Sequence, residues 1–175
     1  MSRRRNESCT DRRKPLSQNS SRSDEQYLLR AIELAALARV RGNHPFGALL
    51  VMDGDTVLVA GNTVVTERDA TGHAEVNVVR QATRRFSAEE LHTASLYTST
   101  EPCAMCAGAV YWSGIGRVVY ALGEDELLAL TGAHHENPTM ALPCRTVFAA
   151  GQRRVEVEGP FLADRAAAVH AGFWQ

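Results

Sequence analysis

The sequence predicts a single α/β domain whose sheet is mostly parallel after an initial hairpin. Its 175 residues are the length of one domain. Hydrophobic residues make up 45% and charged residues 22% of the chain, which is typical of a globular protein that buries a core without disulfide bonds. β-rich runs alternate with helical patterns along the chain, and this alternation indicates strands that are connected through helices.

The chain begins with a predicted helix and a predicted hairpin. Ser23-Asp24-Glu25 combines a capping residue with acids in a first turn, and apolar residues then recur at helical spacing over 24–41. Phe46–Met52 and Thr56–Ala60 are β-rich runs on either side of Asp53-Gly54-Asp55, which predicts a hairpin.

The central part predicts two helices and two strands. Helical patterns cover residues 73–85 and 104–113, and Ala94–Ser99 is a short β-rich run between them. Arg117–Leu122 is a second such run, and its Val-Val-Tyr-Ala segment indicates a strand that is buried on both faces.

The last third is less regular. Residues 123–152 are predicted to be mostly loop, with one helical candidate at Glu124–Leu130, because glycine and proline residues interrupt the pattern. Arg153–Glu158 alternates as a strand does, and Phe161–Phe173 is predicted to be an apolar helix.

Charge is distributed unevenly along the chain. Residues 1–23 carry seven basic and two acidic residues, a net charge of +5, whereas residues 24–175 carry a net charge of −6. The sequence therefore predicts a disordered basic arm over 1–23 and a folded domain over 24–175. An acidic domain disfavours nucleic acid as a partner, because phosphate neutralisation supplies most of that affinity; contact between the arm and nucleic acid stays open as the alternative.

Targeting signals and cysteine usage predict the compartment. No apolar run is long enough to span a membrane, and the arm lacks the apolar core of a secretory signal. Four cysteines without such a signal indicate a reducing compartment and favour metal binding over disulfides. We therefore expect a cytoplasmic protein without a membrane partner.

A pair of cysteines at a predicted helix start suggests a metal site. Cys103 and Cys106 stand three residues apart, directly after Pro102, a residue that is tolerated where a helix begins. Both thiols therefore face one side of the helix. The helix N-terminus favours negative charge and thus the thiolate form that binds metal.

His73 and Glu75 complete the predicted centre. His73 with Cys103 and Cys106 makes three protein ligands, and Zn²⁺ bound by three ligands keeps an open position, as catalytic zinc does. Glu75 lies two residues from His73, where it does not easily share the ligand direction, and is predicted to be the catalytic base.

Each motif has another interpretation on its own. A Cys-x-x-Cys pair also occurs in redox proteins, and a His-x-Glu pair is often an exposed helix start. Together, however, His-x-Glu followed by Pro-Cys-x-x-Cys is the signature of zinc-dependent nucleobase deaminases.

The chain resembles the cytidine-deaminase-like superfamily, in the branch of guanine deaminases, tRNA-specific adenosine deaminases and cytosine deaminases. The matching segments are Pro45–Ala48, Gly61-Asn62, Gly72–Glu75 and Leu96–Ala109. The resemblance implies a three-layer α/β/α sandwich around a five-stranded mixed sheet, a Zn²⁺ cofactor and a homodimer. It also implies hydrolytic deamination, in which an amine leaves as ammonia.

The branches differ around the pocket, and this chain combines their features. Phe46 and the pair Tyr111-Trp112 resemble guanine deaminases, whereas the strand and helix after Arg153 resemble the tRNA enzymes. The acidic charge of the domain favours a small free base or related heterocycle, with a guanine-like purine preferred. A tRNA adenosine deaminase, a cytosine- or triazine-type deaminase and a non-enzymatic zinc domain are the alternatives.

Several residues are predicted to contact the substrate. By resemblance Asn62 hydrogen-bonds the substrate, and a second acid after the fourth strand holds the base; we select Glu126 for this role over Glu124. Aromatic side chains and the pocket mouth complete the set, which comprises Asn62, Ala74, Phe46, Trp112, Glu126, His44 and Trp174.

Overall fold

The computed structural model describes residues 19–132 and 134–175, with side chains described from residue 23 onwards. The elements in chain order are α1 (Asn19–Val40), β1 (Gly47–Met52), β2 (Asp55–Gly61), α2 (Val64–Glu67), α3 (Ala74–Ala82), α4 (Ala88–His92), β3 (Ser95–Thr100), α5 (Ala104–Ser113), β4 (Arg117–Leu122), α6 (Glu124–Thr131), α7 (Cys144–Ala149), β5 (Glu156–Glu158) and α8 (Ala163–Ala168).

The five strands form one mixed sheet in the order β2-β1-β3-β4-β5. The hairpin β1–β2 and the pair β1–β3 are antiparallel, whereas β3–β4 and β4–β5 are parallel. This topology confirms the prediction of a hairpin followed by a parallel sheet, and it matches the five-stranded mixed sheet that the resemblance implies.

Helices cover both faces of the sheet. Tyr97 and Thr98 are neighbours in β3, so their side chains point to opposite faces. The ring of Tyr97 lies 4.9 Å from that of Tyr27 in α1, whereas the hydroxyl of Thr98 lies 2.6 Å from Glu75 in α3. α1 and α3 therefore pack on opposite sides, which confirms the three-layer arrangement. No helix among the described residues has the length and apolarity that crossing a membrane requires.

Gly47 permits the close approach of β1 to α1. A Cβ atom at this position would lie 2.4 Å from the carbonyl oxygen of Ala31 and 2.5 Å from the amide nitrogen of Ala35. Only glycine fits this contact, and β1 is almost entirely buried in consequence.

Two predicted boundaries at the ends of the chain were wrong. Helix α1 begins at Asn19, so the last residues of the predicted arm are helical, and residues 1–18 lie outside the described part. The predicted helix Phe161–Phe173 shrinks to α8. Phe161 donates its amide to the carbonyls of Tyr120 and Ala121 at the end of β4, and Gly172 has a positive φ of 66°. Leu162, the N-cap residue of α8, also has a positive φ, of 55°, and this left-handed conformation keeps Phe161 out of the helix.

Segment 123–152 contains more structure than predicted. Besides α6, it forms α7, with Pro143 at the N-cap. The predicted strand Arg153–Glu158 begins only at Glu156. The amide of Arg153 instead binds the hydroxyl of Tyr111, and its guanidinium binds carbonyls at the end of α5.

Candidate metal centre and active site

His73 is the N-cap residue of α3, and a tight loop fixes its position. The backbone of His73 is extended, with φ −68° and ψ 148°, so the helix starts directly after it. The side-chain Nδ2 of Asn77 donates to the carbonyls of Gly61 and Gly72 and to the hydroxyl of Thr63. These bonds tie the loop before His73 to the end of β2.

The two cysteines occupy the same kind of position on the neighbouring helix. Cys103 is the N-cap residue of α5, and Cys106 lies in its first turn. Helix α5 packs beside α3, and Nδ1 of His73 lies 3.6 Å from Sγ of Cys103 and 3.5 Å from Sγ of Cys106. Two helix starts thus bring the three predicted ligands together.

The geometry of this group fits a tetrahedral Zn²⁺ ion. Its three ligand atoms lie within 4.8 Å of one another. Zn–S bonds of about 2.3 Å and Zn–N bonds of about 2.0–2.1 Å at a tetrahedral angle place nitrogen and sulfur about 3.6 Å apart. The observed nitrogen–sulfur distances agree with this value, and the donor set of one imidazole and two thiols is typical of catalytic zinc.

A hydrogen bond links the two thiols. A hydrogen bond from Cys106, opposed by burial and supported by His73, lowers the pKa of Cys103 to about 4. The same hydrogen bond and burial raise the pKa of Cys106. One thiolate is therefore ready before metal binds, and a bound cation would ionise the second.

Glu75 lies beside the metal group in a buried position. Its side chain is 5% exposed, Oε1 accepts a 2.6 Å hydrogen bond from Thr98, and Oε2 lies 3.5 Å from Sγ of Cys106. Burial raises the pKa of Glu75, and the nearby His73 and the Thr98 hydrogen bond oppose this. The carboxylate is thus fixed by a neighbour and is less acidic than usual.

A cavity of about 340 Å³ opens onto this group. His73, Cys103 and Glu124 form its floor, and His44, Phe46 and residues 136–140 are among its walls. A narrow extension of about 40 Å³ reaches Glu75, Thr100 and Glu101. No lysine or arginine lines either space, and this holds for the part of the chain that the structure describes.

Phe46 and His44, two of the predicted substrate contacts, both line the cavity, and their contact with substrate stays a prediction. Trp174 packs behind them, with ring centroids 5.3 Å from His44 and 6.2 Å from Phe46. Glu136, at the cavity wall, lies 3.6 Å from Nε2 of His44. Trp174 is therefore a second layer of the wall rather than part of its surface.

Asn62 and Ala74 are buried near the same elements. The amide nitrogen of Asn62 donates to the carbonyl of Phe46, and its Oδ1 accepts from Val64. Its Nδ2 has no hydrogen-bond partner among the described residues. Ala74 is the first residue of α3 and is fully buried. Their predicted contact with substrate stays a prediction.

Two predicted substrate contacts do not lie at the cavity. Trp112 is 85% exposed, because it lies on the solvent face of α5, in edge-to-face contact with Tyr111. Glu126 is exposed at the start of α6, and its carboxylate accepts a 3.1 Å hydrogen bond from the amide of Gly123. That carboxylate caps its own helix instead of facing the metal group.

The acid after the fourth strand that lies at the cavity is Glu124 and not Glu126. It is 8% exposed and lines both the cavity and its narrow extension. Burial, with the negative charges of Cys103, Glu101 and Glu75, raises its pKa to about 7. Glu126 stands three residues after the N-cap Gly123, the spacing at which a glutamate accepts from the N-cap amide, and this spacing separates the two acids in the sequence.

Sequence analysis also missed Thr98 and Glu101. Thr98 is a buried strand residue, and threonine in a strand carries no functional signal by itself. Glu101 accepts hydrogen bonds from the amides of Glu124 and Cys144, so it holds the starts of α6 and α7 next to Cys103.

Comparison with known proteins agrees with this site. The family model of the cytidine and deoxycytidylate deaminase zinc-binding region matches residues 21–122. The chain therefore belongs to this family of zinc-type deaminases.

Relatives within the family have different substrates in their names. The chain is 40% identical over 154 residues to the probable cytosine deaminase of Schizosaccharomyces pombe, and the match covers 88% of this chain and 94% of that protein. It is 40% identical over 97 residues to the tRNA-specific adenosine deaminase of Bacillus subtilis, covering 55% of this chain and 60% of that one. A solved guanine deaminase from Nitrosomonas europaea superimposes with a TM-score of 0.69 at 27% identity, covering 83% of this chain and 81% of that one.

Proposed function

We propose that this protein is a zinc-dependent hydrolytic deaminase of a free nucleobase or a related aminated heterocycle. The observation that carries the proposal is the position of Glu75. Its buried carboxylate lies beside three metal-ligating atoms that leave a fourth position free, in the narrow extension of the cavity. A structural zinc site would have four ligands and no need of a buried base.

The ligands His73, Cys103 and Cys106 would hold the Zn²⁺ ion, which when bound makes water a stronger acid and thus a nucleophile at neutral pH. Glu75 accepts a proton from the attacking water and transfers it to a ring nitrogen, so that the adjacent ring carbon becomes electrophilic. Glu75 then passes the second proton of the water to the departing amine. Water and the amine are converted into a ring carbonyl and ammonia, and the carboxylate is regenerated.

Glu124 is the group in this cavity best suited to recognise a ring. It is buried and lines both the cavity and its narrow extension, where its carboxyl group can accept a hydrogen bond from a ring N–H. Phe46 and His44 supply flat walls for an aromatic heterocycle. These features match a base more closely than a sugar-phosphate chain.

Two observations bear on the choice between a purine and a pyrimidine. The exposed position of Trp112 removes one of the residues that favoured a guanine-like substrate, although Phe46 remains. The relative that matches nearly the whole chain is named a probable cytosine deaminase, and this supports the cytosine-type alternative. A cavity of about 340 Å³ has room for either ring.

A tRNA adenosine deaminase is the second candidate, and relatives with that name support it. Such an enzyme has to hold a phosphate backbone near its active site. The mouth of the described cavity offers Glu136 and no arginine or lysine, so the charge at this site favours an uncharged small molecule.

Ammonia release from guanine, cytosine, adenosine and a tRNA anticodon stem-loop tests the proposal. We expect turnover of guanine or cytosine, and loss of at least about 10³-fold in Glu75→Gln with its zinc content unchanged. Glu124→Gln should raise KM for the preferred base, whereas the matched Glu126→Gln should behave as wild type. Full activity of Glu75→Gln, or turnover of the stem-loop alone, would contradict the proposal.

We also infer a homodimer, as the resemblance implies, and a cytoplasmic location, which the cysteine usage favours. The mass of the zinc-loaded protein, measured by light scattering after gel filtration, tests the assembly. A monomer at micromolar concentration would refute it.

A further inference from the structure

We propose that Arg39, on α1, is a positioning residue that sets the wall of the substrate cavity by anchoring the C-terminal segment 169–174. This inference rests on the proposed function, because it concerns how that same cavity is shaped. Arg39 stands five residues before His44 in the sequence, and no motif singles it out.

Arg39 donates two hydrogen bonds to the segment that follows α8. Nη1 of Arg39 donates to the carbonyl of Val169 at 2.7 Å and to that of Ala171 at 2.9 Å. These carbonyls lie just beyond the last turn of α8, where a helix leaves acceptors without partners and favours a cation. No carboxylate forms an ion pair with Arg39 among the residues with described side chains.

The guanidinium of Arg39 also contacts an aromatic ring. Its central carbon lies 5.6 Å from the ring centroid of Phe173, within the range of a cation–π interaction. Phe173 in turn packs edge-to-face on Trp174, with centroids 4.7 Å apart. Arg39 thus fixes both the backbone and the side chains of the segment.

A hydrogen bond to a buried histidine orients Trp174. Its indole nitrogen donates a 3.1 Å hydrogen bond to Nδ1 of His170, which is 3% exposed. The ring of His170 lies 5.3 Å from that of Phe46. Trp174 is therefore held by a buried partner whose own position depends on the anchored segment.

The C-terminal segment reaches the cavity through Trp174. Trp174 contacts His44 and Phe46 from behind, and these two rings line the space above the metal group. If the segment detaches, both rings lose the surface that supports them, and the cavity widens. Substrate affinity should then fall, while Glu75 and the metal ligands remain in place.

The test combines kinetics with the emission of a single tryptophan. The chain has two tryptophans, so Trp112→Phe leaves Trp174 as the only indole emitter. In this background Arg39→Met should shift the emission to the red and increase acrylamide quenching. KM for guanine or cytosine, whichever the wild type turns over, should rise about tenfold with kcat within about twofold, since two charge-assisted hydrogen bonds are lost.

Two further variants separate positioning from general stability. Arg39→Lys keeps the charge but not the planar fork, and should give intermediate emission and KM. Arg30→Met, on the same helix, removes only an exposed pair with Glu33 and should match the background in both measurements. If Arg39→Met does not fold, Arg39→Lys carries the test alone.

Unchanged Trp174 emission and unchanged KM in the Arg39 variants would overturn the proposal, even if the melting temperature fell. A loss of kcat without a change in KM would do the same. If the wild type turned over neither base, the proposed function would fail, and the emission of Trp174 would still decide whether Arg39 holds the segment.

Discussion

Replacing Thr98 with valine removes one hydroxyl from the active site and preserves the shape of the side chain. That hydroxyl donates a 2.6 Å hydrogen bond to Oε1 of Glu75, in a position where both residues are buried from solvent. Thr98 also approaches the carbonyl of Gly47, but at 3.4 Å that contact is weak. The variant therefore tests one charge-assisted bond.

The expected magnitude follows from the burial of this bond. A hydrogen bond to a charged group contributes about 1.5–3 kcal/mol, so that a central value of about 2 kcal/mol lowers kcat/KM roughly 30-fold. Thr98 also opposes the burial that raises the pKa of Glu75. Without it the pKa of Glu75 rises further, and the acidic limb of the kcat/KM profile moves to higher pH, because the base must be ionised.

Ammonia release at several pH values, with zinc measured on the same samples, provides the assay. Thr98→Ser keeps the hydroxyl and loses a methyl group, so it reports the packing contribution alone and should retain most activity. The reasoning is refuted if Thr98→Val stays within twofold of wild type, or if Thr98→Ser is equally impaired.

Three further changes probe the metal, the sheet and the helix contact. Dialysis against a chelator should abolish ammonia release and lower the melting temperature by about 5–10 °C, with zinc restoring both; a melting temperature unaffected by zinc would contradict a metal at His73. Arg117→Met should cost about 2–3 kcal/mol in urea unfolding, because the partly buried Asp24 loses its cation and keeps only the hydrogen bond from Tyr97. Burial raises the pKa of Asp24, but the bonds from Arg117 and Tyr97 and the charge of Arg117 outweigh it and leave that pKa lowered. The difference should therefore persist above a pH of about 4 and shrink below it, and an equal loss at all pH values would exclude this origin. Gly47→Ala should cost about 2–3 kcal/mol, since its Cβ would meet the backbone of Ala31, and wild-type stability would show that α1 moves freely.

Local patterns predicted the sheet and the metal group because the relevant signals are short in sequence. Alternation and helical periodicity locate the strands and the main helices, and the His-x-Glu and Cys-x-x-Cys spacings place ligands at two helix starts. The structure needs only to pack α3 beside α5 for these residues to meet.

The walls of the cavity could not be predicted in the same way. Resemblance to guanine deaminases favours Trp112 as a pocket aromatic and Glu126 as an acid after the fourth strand, but the rotation of α5 and the capping of α6 direct both side chains elsewhere. Glu124 differs from Glu126 by two residues, which is more than half a helical turn and enough to reverse the face. Segment 134–142 contributes wall residues without any periodic signal.

The two hydrogen bonds that Glu101 accepts bear on how such an enzyme could acquire a new substrate. Its carboxylate holds the first residues of α6 and α7, whose connecting segment forms much of the cavity wall, and it stands two residues before Cys103. Recognition and chemistry are therefore joined at a single side chain. As long as both amides still reach this carboxylate, exchange of residues 134–142 should leave the metal ligands undisturbed. Libraries that vary 134–142 and keep Glu101, Glu124 and Cys144 should thus yield new specificities while retaining zinc.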